Sequence, residues 1–160
     1  MTTYYFKNLA GVNLTDEERG NVPHPYAELI THVTLKAMQA GAILGAGVIG
    51  PAVSVAGGHR DGKSIQEAAY KYGKGGIALG LVVGPILMAA RAAPLERKEV
   101  FDRSYRIRFN RNQVSVDRLS IVGALAGAGA AHFLNNEAAM GAVFGFAGGC
   151  VFGGLLNLVF

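Results

Sequence analysis

The chain has 160 residues, enough for one domain, and 51% of them are hydrophobic against 16% charged. Glycine supplies 23 positions with no three-residue period and no Pro/Ser-rich tract, which excludes collagen and low-complexity sequence. A net charge of +4 suits an anionic partner, lipid or nucleic acid, and the single cysteine, Cys150, excludes an intrachain disulfide. A mean hydropathy of +0.28 points to apolar blocks joined by polar loops.

The N-terminal stretch MTTYYFKNLAGVNLTDEERGNVPH has no signal-peptide apolar core. It is not acid-poor like a transit peptide either, since Asp16, Glu17 and Glu18 follow one another, so any import signal is expected to be internal. Asn13-Leu14-Thr15 matches a glycosylation sequon. Thr15 and Glu18 also have capping-box spacing, which predicts a short helix ending near Gly20. Residues 1–28 are read as a polar extension and 29–160 as a transmembrane domain.

Four apolar blocks follow, each read as a membrane span. The first is AMQAGAILGAGVIGPAVSVA, 37–56, and the second runs from GGIALG past Arg91, 75–93. The third is LSIVGALAGAGAAHFL, 119–134, and the fourth is the uncharged AAMGAVFGFAGGCVFGGLLNLVF, 138–160. Pro51 and Pro85 are expected to kink the first two helices. Lys36 and Arg91, at block ends, are read as snorkelling to the membrane surface, and Asn157 as a polar tie between helices.

The six glycines of the fourth block would cost a soluble helix about 6 kcal/mol, at roughly 1 kcal/mol each. Their spacing explains them. Gly141, Gly145, Gly149 and Gly153 recur every fourth residue, as do Gly76, Gly80 and Gly84. Gly41 and Gly45 extend Ala37 in the first block, and Gly123 and Gly127 precede Ala131 in the third. In lipid, small residues let helix backbones approach closely, so four such seams predict an all-α membrane protein, a tight bundle of four Gly-rich transmembrane helices.

Between the first two blocks, GGHRDGKS satisfies the P-loop pattern through Gly57, Gly62, Lys63 and Ser64. VSVA before it reads like a strand and IQEAAYKY after it like a helix. In a P-loop Lys63 would reach the β/γ-phosphates and Ser64 would hold magnesium. The further Val/Ile-rich strands of a nucleotide-binding sheet are missing. The preferred reading ends a helix at Gly57 and Gly58 and makes Arg60, Lys63, Lys71 and Lys74 a basic connector at the membrane surface.

Residues 95–118, LERKEVFDRSYRIRFNRNQVSVDR, carry seven arginines and lysines against four acids. The alternation in Tyr105-Arg106-Ile107-Arg108-Phe109 would suit single-stranded nucleic acid. Beside a membrane it reads as an interfacial segment whose Arg106, Arg108 and Arg111 hold anionic lipid or a partner's acidic surface. His24, His32, His59 and His132 are scattered, and no acid lies within the four blocks. No catalytic, cofactor or metal site is therefore expected, and His132 is assigned a hydrogen bond to a neighbouring helix.

Four short Gly-rich spans with a charged segment between the second and third resemble the Tim superfamily of mitochondrial inner-membrane proteins, which includes a Tim-like accessory subunit of respiratory complex I. That superfamily carries an Arg-x3-Asp-x6-small-Gly-x3-Gly signature entering its third span. Here RNQVSVDRLSIVGALAG offers Arg111, Asp117, Gly123 and Gly127, with the first interval two residues longer and the second two shorter. The resemblance implies a structural accessory subunit of complex I that stabilises its membrane arm, with no catalytic residues of its own. The alternatives are an import or solute channel of the same superfamily and a nucleotide-binding protein using the GGHRDGKS loop.

The implied partners are other membrane subunits of the respiratory complex and anionic phospholipid, cardiolipin among them, and not nucleic acid. Four spans put both termini and the 95–118 segment on one side. The nine basic residues there, against four on the other side, would face the matrix by the positive-inside rule. The resemblance implies the intermembrane space instead, and the termini are assigned there.

Overall fold

Residues 3–159 are described in this computed structural model, and among them there are helices and no strand. Two short N-terminal helices, α1 (Thr3–Leu9) and α2 (Asp16–Gly20), precede α3 (Pro25–Leu44). A π turn, Gly45–Ile49, joins α3 to α4 (Gly50–Ala56). There follow α5 (Gly62–Ala92), α6 (Arg97–Phe109), α7 (Arg111–Phe133) and α8 (Ala138–Val159). Phe160, the end of the fourth apolar block, lies outside the described residues.

Four helical stretches are long and apolar enough to cross a bilayer: Pro25–Ala56, Gly62–Ala92, Arg111–Phe133 and Ala138–Val159. Three of them begin at 25, 62 and 111, where the apolar blocks begin at 37, 75 and 119. Local chemistry sets those starts. Pro25 occupies the first turn of α3, where its missing N–H is harmless. Asp61 accepts from the Ser64 amide at the start of α5, and Asn110 from the Gln113 amide at the start of α7. The π turn explains how the chain passes Pro51: the helix widens before the ring instead of clashing with it, and the Gly50 amide donates to the Gly45 carbonyl. Helix α5 continues through Pro85.

The glycines pair the long helices two by two. A Cβ on Gly41 would fall on the carbonyl of Gly76, and one on Gly76 on that of Gly41. Gly45 meets the Tyr72–Gly73 backbone, Gly80 that of Ala37–Met38, and Gly84 Thr34, so α3 and α5 touch backbone to backbone. In the second hairpin Gly127 meets Gly141, Gly123 meets Gly145, Gly149 meets Leu119, and Gly153 meets Val116. Between the hairpins, contact is sparser and made by side chains: Val143 reaches the Gly73 surface, beside a cavity of about 210 Å³ bounded by Met38, Ile77 and Phe146.

The seams thus close two hairpins and do not converge on one axis. A smooth stripe admits one neighbouring backbone, and a further helix must meet larger side chains.

At one end, α6 lies against α3, and Val100 is fully buried with Leu29, Met88 and Ala92. Helix α1 packs on α7 and α2 on α6, burying Tyr5, Leu14 and Val22. The capping box expected at Thr15 and Glu18 is formed. The N-terminal segment is therefore part of a polar cap over one end of the helices.

Candidate functional site

Beneath this cap lies a cluster of buried polar side chains. Glu28, His32, Lys36 and Gln39 are spaced along one face of α3. Asp117 and Ser120 present one face of α7, and Ser104 and Arg108 one face of α6. Folding brings these three faces together.

Asp117 is the hub and is 2% exposed. Its Oδ1 accepts from Lys36 Nζ at 2.6 Å and from Gln39 Nε2 at 2.9 Å, and its Oδ2 lies 3.2 Å from His32 Nδ1. Gln39 Nε2 also donates to Ser120 Oγ, and Ser120 Oγ donates to the Asp117 carbonyl at 2.8 Å. One turn toward the cap, Arg108 donates through Nε to Glu28 Oε2 at 2.8 Å and through a second nitrogen to Oε1. Its remaining nitrogen donates to the carbonyls of Glu18, Arg19 and Asn21, the open end of α2. Ser104 Oγ donates to the Pro25 carbonyl.

The two carboxylates, Glu28 and Asp117, are each matched by a cation, Arg108 and Lys36. That is how a buried ionic cluster is tolerated at all. Tyr5 from α1 covers it, and its hydroxyl is buried without a hydrogen-bond partner among the described residues. Burial, then the negative charges of Asp117 and Glu28, hold that phenol well above its ordinary range. The groups are occupied with one another: each acid accepts from a cation, and the cations donate to acids and carbonyls. Such an arrangement pins α3, α6, α7 and the N-terminal segment together. Among the described residues no group of three His, Cys, Asp or Glu side chains is placed to hold a metal ion.

Arg108 corrects the expectation from the sequence. Its alternation with apolar residues reads as a contact for lipid or a partner, but it is buried on Glu28 because α6 turns that face onto α3. Lys36 likewise does not snorkel; it turns inward to Asp117. The blocks contain no acid, yet the helices that carry them bury Glu28 and Asp117, because the helices extend beyond the apolar runs.

Arg106 is exposed and pairs with Asp102 at 2.8 Å. Arg111 is exposed in the wall of a cleft of about 290 Å³ that Arg19 and Arg118 also line. Arg118 there holds the carbonyls of Asn8 and Leu9. His132 is exposed and edge-on to Phe133, and among the described residues it makes no hydrogen bond to another helix. Asn157 does tie two helices, donating to the Asn112 carbonyl at 3.0 Å.

The GGHRDGKS loop differs from a P-loop at its entry. Val53–Ala56 belongs to α4, so a helix and not a strand precedes it. Gly58 takes φ +82°, which turns the chain back toward α5. The Ser64 amide is already given to Asp61 Oδ1 at 2.9 Å, and hydrogen bonds from Ser64 hold the Asp61 carboxyl below its usual range. That amide is therefore not free to cradle a phosphate.

Sequence reasoning missed Asp117 as a hub. The available signal was the polar face of α3, Glu28, His32, Lys36 and Gln39 at helical spacing, running into the start of the first apolar block. Such a face requires a polar partner, and Asp117 with Ser120 supplies it. Residues 5–156 match a family described as a protein of unknown function (DUF1757), so the chain belongs to that family. No curated protein matches it.

Proposed function

We propose that this member of the DUF1757 family is an integral membrane protein of four spans that braces a larger membrane assembly. The observation that carries the reading is its outer surface. Only 17% to 28% of each long helix's most apolar window is buried within the chain. Leu79, Val82, Ile86, Leu125, Phe152, Leu155 and Leu158 all face outward and are more than half exposed. Large apolar side chains exposed along all of these helices are unfavourable in water and ordinary in lipid. The buried charges are neutralised by one another, which suits a bracing role better than a chemical one.

The resemblance to the Tim superfamily narrows the assembly to respiratory complex I in the mitochondrial inner membrane, with the termini in the intermembrane space. Two measurements test this in sequence. Alkaline carbonate should leave the chain in the membrane pellet, and release into the supernatant would end the four-span reading. A native gel of mildly solubilised mitochondrial membranes should then show it migrating with NADH dehydrogenase activity. Migration in a smaller, inactive complex would reject the complex I assignment and favour a channel or translocase of the same superfamily.

A further inference from the structure

Two arginines at the capped end have no role in the ionic cluster. Arg91, in the last turn of α5, and Arg103, on α6, are both exposed and make no ion pair or hydrogen bond among the described residues. They stand at the rim of a cleft of about 220 Å³ whose walls include Leu29, Val33, Leu87 and Met88. Glu28 is ion-paired with Arg108 and Asp102 with Arg106, and Glu99 accepts from the Glu96 amide. Neither Arg91 nor Arg103 is ion-paired among the described residues, and both stand at the edge of an apolar floor.

The floor does not end at the cleft: Val83, one turn before Leu87 on the same side of α5, continues it along the span. A compact anion would use the rim alone, and a neutral hydrocarbon the floor alone. We infer that this cleft binds one anionic glycerophospholipid of the surrounding leaflet, its phosphodiester between Arg91 and Arg103 and an acyl chain against Leu87 and the α5 face. Planar guanidinium groups suit a phosphodiester, and their level at the end of a span is the level of lipid headgroups. The inference rests on the proposed membrane location.

The test is native mass spectrometry of the full chain released from detergent micelles containing dioleoyl phosphatidylglycerol or dioleoyl phosphatidylcholine. One phosphatidylglycerol should be retained and phosphatidylcholine lost. The R91Q/R103Q variant should bind phosphatidylglycerol roughly 30-fold more weakly, at about 1 kcal/mol for each arginine. R106Q, whose arginine pairs with Asp102, should bind normally. Short-chain phosphatidylglycerol and inorganic phosphate should both fail to compete, because neither reaches along the floor.

Equal retention of the two lipids, equal binding by R91Q/R103Q, or displacement by inorganic phosphate would each overturn the lipid site. Carbonate extraction of the unmodified chain separates the two failures: a chain that stays in the membrane but shows no lipid preference loses only the site.

Discussion

Replacing Arg108 with Gln should be among the most damaging single changes outside the glycine seams. The guanidinium is buried, holds both oxygens of the buried Glu28 and donates to three backbone carbonyls at the end of α2. Its removal leaves a carboxylate without a counter-charge in a low-dielectric setting, which costs about 3–5 kcal/mol. The Glu28→Gln change should cost a similar amount by stranding the cation. The double variant should cost far less than the sum, because two neutral amides carry no buried charge. What remains is about 1 kcal/mol for each carbonyl that loses its donor.

The assay is equilibrium unfolding of the full chain in mild detergent by added dodecyl sulfate, followed by far-ultraviolet circular dichroism. Trypsin cleavage after Arg19 gives a local readout, because Arg108 holds that stretch of backbone; it should accelerate in R108Q. Single variants within about 1 kcal/mol of the parent, with additive effects, would mean that the pair is solvated and the cap is not held by it.

The glycine seams give opposite outcomes on one helix. Gly145→Ala would drive a Cβ into the Gly123 carbonyl and should lower the unfolding midpoint sharply, whereas Gly148→Ala, which meets nothing within 4 Å, should be neutral or gain up to about 1 kcal/mol. Equal effects in the same unfolding assay would refute the seam. Tyr5→Phe removes a buried hydroxyl that has no partner among the described residues and should stabilise by about 1 kcal/mol at neutral pH.

The same residue predicts an alkaline effect. The phenol is held neutral in the folded chain, so stability should be fully present below its unfolded value, near pH 10, and fall as pH rises above it. Y5F should flatten that fall in a pH series. Lys63→Ala should change stability by less than about 0.5 kcal/mol, since the side chain is exposed, and equilibrium dialysis should find no ATP bound to the unmodified chain. Saturable binding that K63A abolishes would restore the nucleotide reading.

Local features were legible from the residues alone. The four apolar helices and their order follow from block length, the Thr15–Glu18 cap from spacing, and the every-fourth-residue glycine stripes from helical period. Each of these depends on residues a turn or two apart, where backbone geometry dictates what meets what. Asn157 was also legible, because a lone amide on an apolar helix needs a partner wherever it lands.

Tertiary structure decided the rest. The stripes do not say which helix each will meet, and antiparallel pairing turned four of them into two hairpin seams. Lys36 and Arg108 looked like surface cations because charge favours water when the alternative is hydrocarbon. They turned inward because acids lay across the interface, Asp117 at 81 residues from Lys36 and Glu28 at 80 from Arg108. No local pattern encodes a pairing over that distance. It exists only once α3, α6 and α7 are packed, and only there does neutralising a buried charge outweigh keeping it in solvent.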